Sequence, residues 1–332
     1  SFAATTALVA VFGVLRNWRG VQVPKVLRPV LAAVISSAVA GLATAPIAAA
    51  HFNRIADDGL VANLLSVPLM GLVVMPGAVL AAILAPFGLG WVGLAIMEPA
   101  IRWILGVAHW IAGLDGALSY VPAPGAAVLP MLTLGVLWMI LWQGSVRART
   151  LGLVPAAAFL LWAAVERLAL LISDSAGLVG ILTPAGRVLH KARGEGFAAQ
   201  IWLENDGDGA AQAAAFARAG FTGTKGNLGF RIADVSFIHR SGRGASERLR
   251  DSCAKAAYVI VSAKRAPAQR DLPCQIIDRA LLRELGSIAV FDRADGLKIL
   301  GARQVAGRRL WNSPQVRARF NGAFFAERPQ KP

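Results

Sequence analysis

Long, uninterrupted apolar runs fill the first half of the chain, and short alternating runs broken by turn residues fill the second. A bilayer core about 30 Å thick needs roughly 20 apolar helical residues to cross it. Five stretches qualify and a sixth is short: approximately 1–15, 29–50, 60–85, 91–114, 125–143 and 151–172. They predict an α-helical, multi-span membrane bundle of about six helices over residues 1–172. The first run starts at full hydrophobicity at Ser1, without an initiator Met, and meets Arg16 after fifteen residues. The chain therefore reads as a fragment of a longer membrane protein. A cleaved signal peptide is the rival reading, but the run has no basic leader and no A-x-A site before Arg16.

Beyond residue 172 the period changes. Residues 177–193 read as a hairpin, with two apolar runs around Pro184-Ala185-Gly186. Residues 209–219 and 246–257 read as helices, and 234–240, 257–263, 274–278 and 287–292 as strands. The last strand is expected to pair with 297–305 through Asp295-Gly296. The expectation is a small α/β domain over 173–312, large enough for its own core, and a poorly ordered tail over 313–332.

Composition sharpens this division. The 332 residues are 56% hydrophobic and 16% charged, with a mean hydropathy of +0.55, whereas soluble domains carry about a quarter charged residues. Residues 1–172 hold 9 Lys/Arg against 5 Asp/Glu, and the remainder 25 against 14. The first part is thus +4 and the second +11. Disordered, collagen-like and small disulfide-dense classes are excluded. The loop at 16–28 carries Arg16, Arg19, Lys25 and Arg28 with no acid, and 144–150 carries Arg147 and Arg149. Loop 51–59 balances Arg54 against Asp57 and Asp58, and 115–124 has Asp115 alone. Basic short loops stay cytoplasmic. Alternation over six crossings then puts the basic domain outside the cytoplasm, in the periplasm of a two-membrane bacterium.

Several positions inside the spans stand out. The 60–85 run contains Pro68 and Pro76 with Gly71 and Gly77. Each proline removes a backbone donor, so the run reads either as a broken helix lining a pathway or as a kinked packing helix. Glu98, Arg102 and His109 share one helical face, as a self-paired ion pair or as a polar stripe facing the bundle interior. Trp103 and Trp110 flank that stripe, and Trp91, Trp110 and Trp142 sit near span ends, where aromatic rings prefer the headgroup level. Glu166 and Arg167 are placed to snorkel from the outer end of the last span.

Residues 44–88 resemble the core of the competence domain of the ComEC/Rec2 family, an inner-membrane DNA-uptake channel. The matching residues are Thr44, Pro46, His51-Phe52, Asn63-Leu64, Pro68 and Pro76, and the opening run from residue 2 resembles the helix before them. The likeness spans roughly residues 1–172. It implies a multi-pass protein of the inner (plasma) membrane through which single-stranded DNA passes during natural transformation. His51, Phe52, Asn63, Pro68 and Pro76 are then pathway or gate candidates. Partners would be the strand, the bilayer, a DNA receptor and a cytoplasmic ATP-driven translocase, with homo-oligomers also open. The chain has no G-x-x-x-x-G-K-[ST] phosphate loop of its own.

The hairpin at 177–193 and the closing 296–311 stretch resemble the ends of the metallo-β-lactamase domain that follows the helices in many relatives. A dinuclear zinc hydrolase needs an H-x-H-x-D-H cluster, and this half has only His190 and His239. The expectation is a degenerate, noncatalytic domain without metal or cofactor. Glu204, Asp206, Asp208 and Gly209 imitate the start of a calcium loop, but position 12 is Ala215, so a solvated turn is expected. Cys253 and Cys274 either form a disulfide or stay as two buried thiols. Arg240, Arg243, Arg248, Arg250, Lys255, Lys264, Arg265, Arg270 and Arg303 suit phosphate backbones. Arg308 and Arg309 are the backbone-contact candidates, and Phe320, Phe324 and Phe325 beside Arg317, Arg319 and Arg328 add stacking rings. A solvated surface or attraction to anionic lipid explains the same charge. Rival functions are a membrane-anchored metal-dependent nuclease or hydrolase, and a membrane scaffold or small-solute transporter.

Overall fold

The computed structural model describes residues 2–17, 24, 27–142, 152–242, 244–263, 272–307 and 325–326. The chain divides into two compact units, Ser1–Val165 and Glu166–Pro332.

The first unit is helical: α1 (Phe2–Asn17), α2 (Leu27–Phe52), α3 (Gly59–Leu69), α4 (Met75–Leu84), α5 (Gly90–Ala112), α6 (Val128–Leu141) and α7 (Leu153–Ala163). Among the described residues, three helical runs are long and apolar enough to cross a membrane: Leu27–Phe52, Gly59–Phe87 and Gly90–Ala112. Phe2–Arg16, Val128–Leu141 and Leu153–Ala163 are apolar but shorter. At 1.5 Å per residue, a helix the length of α6 covers only about 21 Å. The expectation of six crossings therefore reduces to three shown by length.

The proline-marked run is not broken. α3 passes through a π turn at Met70–Val74 into α4, and the Met75 amide donates to the Met70 carbonyl five residues back. Pro68 lies inside α3, and Pro76 follows the π turn in the first turn of α4. Gly77 and Gly93 set the α4–α5 crossing. A Cβ at Gly93 would stand 2.5 Å from the Gly77 carbonyl oxygen, and one at Gly77 would stand 2.6 Å from Met97 Cγ. Gly71, by contrast, faces open space. Small residues here serve close packing at one crossing.

Two sequence expectations fail at the end of this unit. The span expected over 151–172 ends at Ala163, and Leu170–Ile172 is a fully internal strand of the second unit. The boundary thus falls at 165/166 instead of 172/173, because an apolar run buried in a β-core has the composition of a membrane helix. Glu166 and Arg167 are accordingly not snorkelling from a span. Glu166 faces Arg293 at 3.7 Å within the second unit.

The second unit is a four-layer sandwich. One antiparallel sheet has the order β13-β12-β11-β3-β4-β5, built from β3 (Leu170–Ile172), β4 (Val179–Thr183), β5 (Gly186–Leu189), β11 (Ile288–Arg293), β12 (Gly296–Gly301) and β13 (Phe325–Ala326). The other has the order β10-β9-β8-β7-β6, from β6 (Thr222–Thr224), β7 (Asn227–Ile232), β8 (Val235–Arg240), β9 (Tyr258–Val261) and β10 (Gln275–Ile277). Period-two alternation sorts the layers. Leu170, Ile172, Val179 and Ile181 meet Phe237, Tyr258 and Ile260 in the central core. Leu171 and Leu189 instead face α8 (Gly196–Asn205) and α9 (Gln212–Ala217) through Trp202, Leu203 and Ala215. Val259 and Val261 face α10 (Leu249–Cys253) on the opposite outer side.

The 177–193 hairpin forms as expected, with Thr183 opposite Gly186. So do the strands at 234–240, 257–263, 274–278 and 287–292, each slightly trimmed. The helices expected over 209–219 and 246–257 shrink to α9 and α10. The final hairpin turns through Ala294-Asp295, one residue earlier than expected, because Gly296 at φ 122° already pairs with Arg293. Its second strand stops at Gly301, where the Gln304 side chain accepts the Gly301 amide and begins α12 (Ala302–Ala306). The expected strand over 297–305 is therefore half helix. Helices α8 and α11 (Arg279–Leu285) went unread; Asp278 caps α11 by accepting the Leu281 amide at 2.9 Å. Cys253 and Cys274 are bonded, Cα to Cα 5.1 Å. They tie the end of α10 to the residue preceding β10.

Candidate functional site

The helical unit gathers its polar detail at one place. α2 ends at His51-Phe52, and Asn53 turns the chain in the left-handed region at φ 56°, which asparagine tolerates better than most residues. Asn53 is buried; its carbonyl accepts the Val121 amide at 3.0 Å, and its Nδ2 donates to the Val121 carbonyl at 3.3 Å. From there β1 (Arg54–Ala56) pairs antiparallel with β2 (Leu118–Tyr120). Ser119 donates to Asp57 Oδ2 at 2.5 Å, the Arg54 guanidinium lies 5.9 Å from the Tyr120 ring centre, and Trp162 of α7 donates to the Pro122 carbonyl at 2.7 Å. Beneath this ribbon sits a small core of Ala49, Val128, Leu132, Ala158 and Trp162.

The ribbon joins the α2–α3 link to the α5–α6 link, so both emerge on one face of the helical unit. Alternating crossings demand the same of loops 51–59 and 115–124. Asn53, which positions the ribbon, was missed in the sequence. The signal was an asparagine directly after a long apolar helix and before a three-residue β run.

The gate candidates are not brought into one cluster. Phe52 is 69% exposed, and the His51 Nδ1–H is spent on the Ile47 carbonyl of its own helix at 2.8 Å. Asn63, Pro68 and Pro76 are exposed along α3 and α4. Among the described residues no hydrogen bond or ion pair joins these five. Glu98 and Arg102 pair with each other at 2.5 Å, while the His109 Nδ1–H turns back to the Leu105 carbonyl. The expected three-residue stripe is thus a self-paired couple and a separate histidine. Trp103 is tied to α3 through the Leu65 carbonyl at 3.1 Å.

In the sandwich unit the acids of the calcium-like run are already taken. Asp206 forms a buried two-pronged pair with Arg187, whose guanidinium also reaches the Gly180 and Leu168 carbonyls. Asp208 pairs with Arg218 and accepts the Ala210 amide at 3.0 Å. Burial by itself would raise the Asp208 pKa, but the Arg218 hydrogen bond and charge hold it below the ordinary value. Among the described residues no group of three metal-ligating side chains occurs.

The fold does bring His190 and His239 together, their ring centres 4.5 Å apart and edge to face. His190 Nδ1 accepts the Val179 amide at 2.9 Å, and His239 Nε2–H donates to the Ala176 carbonyl at 3.2 Å. Among the described residues, His239 Nδ1 is buried without a hydrogen-bond partner. Burial pushes His239 down to about 4, and burial together with the neighbouring His239 and Lys191 pushes His190 down to about 3. Both rings are neutral at physiological pH. Of the basic candidates, Arg240 donates to Ser252 Oγ at 2.8 Å and Arg303 to the Arg283 carbonyl at 2.5 Å. Arg308 and Arg309 lie outside the described residues, as do Arg19, Lys25, Arg147, Arg149, Arg243, Lys264, Arg265 and Arg270. The tail residues Phe320, Phe324, Arg317, Arg319 and Arg328 do too, and of that tail only Phe325–Ala326 is described, as β13 on β12.

Residues 1–146, from α1 through α6, match the family model described as Competence protein. Over that stretch the chain belongs to the competence-protein (ComEC/Rec2) family. No curated protein and no solved structure matches it. The match over residues 1–146 and the three long apolar helices mark this chain as a membrane protein with a role in DNA uptake in transformation. The match ends before the sandwich unit begins.

Proposed function

We propose that this protein is a channel component of the inner membrane that passes single-stranded DNA, and that its sandwich unit is a noncatalytic, extracytoplasmic cap that collects the strand. The competence match over the helical unit carries this reading. The ribbon supports the orientation, since it holds the two acid-bearing links on one face, as alternating crossings require. The four-layer order of helices and sheets supports descent of the cap from a metallo-β-lactamase-like scaffold, and the missing H-x-H-x-D-H cluster supports loss of its chemistry. The cap's excess of positive charge attracts a polyanion by counterion release, and motive force comes from an ATP-driven partner.

Deleting the gene and following labelled DNA into the cytosol is the decisive measurement. Import should stop and return on complementation; normal import in the deletion strain overturns the proposal. Reporter fusions at the carboxyl end should be active outside the cytoplasm, and cytosolic activity refutes the cap. DNA cleavage by the metal-loaded protein would refute the noncatalytic assignment.

A further inference from the structure

The sheet orders leave β5 at the edge of one sheet and β6 at the edge of the other. Between these edges lies a cavity of about 660 Å³, within the range of small-molecule sites. Its wall is made by His190 and Lys191 after β5, Phe216 and Arg218 from the end of α9, Phe221, and Lys225 in the β6–β7 turn. Among the described residues three cations and three rings line it, and no carboxylate does. We propose that this edge pocket seats one unstacked nucleotide of a DNA single strand, its phosphate held by Lys191 and Lys225 and its base against Phe216 and Phe221. The proposal rests on the DNA-uptake reading and assigns a place on the cap to the strand.

The placement of each wall residue fits that ligand. Arg218 is held in place by Asp208 and by donation to the Arg187 carbonyl at 2.9 Å, so it presents a fixed guanidinium whose charge is already offset. Lys191 and Lys225 are in no ion pair among the described residues, and Lys225 is exposed at a hairpin tip. They supply the net charge. The tip itself needs glycine: Gly226 adopts φ 85°, and a Cβ there would stand 2.9 Å from the Ser241 carbonyl oxygen. Phe221 is braced edge-on by Phe230 at 5.3 Å and by His190 at 6.4 Å, whereas Phe216 is 47% exposed with an open face. Neutral His190 completes an aromatic wall without adding charge. A duplex keeps its base faces stacked inside the helix. The rings therefore favour a single strand, because every unpaired base has a face to stack.

The test uses the whole chain in nanodiscs of zwitterionic lipid, with labelled oligo-dT, a duplex of equal length, thymidine monophosphate and inorganic phosphate as probes. Lys191→Ala with Lys225→Ala should weaken oligo-dT binding about tenfold and flatten its salt dependence by roughly one to two ions. Phe216→Ala should cost about fivefold or more for the single strand and leave the duplex unchanged. The charge-matched pair Arg279→Ala with Arg283→Ala, both exposed on α11, should cost under about twofold. Lys225→Glu, at an exposed tip that leaves folding intact, should repeat the loss. Thymidine monophosphate should compete where inorganic phosphate does not, and equal competition by phosphate makes the pocket a plain anion site. Equal losses from both charge pairs, or an inert Phe216→Ala, overturn the proposal, as does binding that needs anionic lipid. If gene deletion stops import but the pocket variants bind DNA normally, the pocket fails and the uptake reading stands. If the variants lose binding while deletion leaves import intact, the uptake reading fails.

Discussion

The two units solve opposite solvent problems with similar residues. Among the described residues, the large exposed apolar side chains of the second unit are Phe197, Ile201, Phe216 and Val305; the many others, from Phe2 to Leu161, lie on the helical unit. The helices turn Leu72, Trp91 and Leu160 outward at 79%, 64% and 72% exposure and keep small residues such as Ala49, Ala100 and Ala158 inside. The sandwich does the reverse and buries even Arg187 completely. A lipid solvent removes the reason to hide apolar surface, so helix contact depends on close backbone approach. A water solvent makes burial the main force and requires each buried charge to carry its partner.

Breaking that partnership gives the largest expected effect. Arg187→Ala leaves Asp206 buried and unpaired and should destabilise the sandwich by about 3–5 kcal/mol, read as a shift of the denaturant midpoint. Arg187→Met with Asp206→Leu should recover much of the loss, since the pair serves polar satisfaction more than net stability. Next comes the crosslink: Cys253→Ser or reduction frees a connection of 21 residues and should cost roughly 3 kcal/mol, with the helical unit's melting unaffected. On the other side of the comparison, Gly93→Ala forces a methyl into the α4–α5 crossing and should cost about 1–3 kcal/mol by thermal melting in nanodiscs. Gly71→Ala, with open space at its Cβ, should be neutral.

The pH limb comes last because it is absent at physiological pH and grows only in acid. His190 and His239 have folded pKa values below the ordinary 6.5, so the unfolded chain binds protons first as pH falls. Stability is complete above about pH 6.5, declines by up to about 1.4 kcal/mol per histidine for each unit below it, and levels off once the pH is under both folded values. His239→Leu should flatten part of that slope in a series of melts across acid pH. An unchanged slope would show that the ring titrates freely in the fold.

These effects differ in how visible they were beforehand. The apolar runs at 29–50, 60–85 and 91–114 became long helices and the Pro184-Ala185 hairpin was readable from local pattern, whereas the sequence left the pairing of Cys253 with Cys274 open. The 151–172 run was misread because Leu170–Ile172 is apolar on both faces, as a doubly covered strand must be. The sandwich pocket was not visible at all: Lys191, Phe216 and Lys225 are separated by whole elements, and only the meeting of two sheet edges makes them neighbours.

Sequence alone therefore determined which segments seek lipid, where turns interrupt them, and that a cationic domain follows the helices, since hydropathy and backbone preference act over a few residues. Tertiary structure decided the pairing of Arg187 with Asp206, the meeting of His190 with His239, the clasp of Asn53 on Val121, and the pocket between β5 and β6. Each of these joins positions from 19 to 68 residues apart in the chain or on separate sheets. Such contacts exist only after strands have paired and sheets have closed, when burial makes a polar partner obligatory.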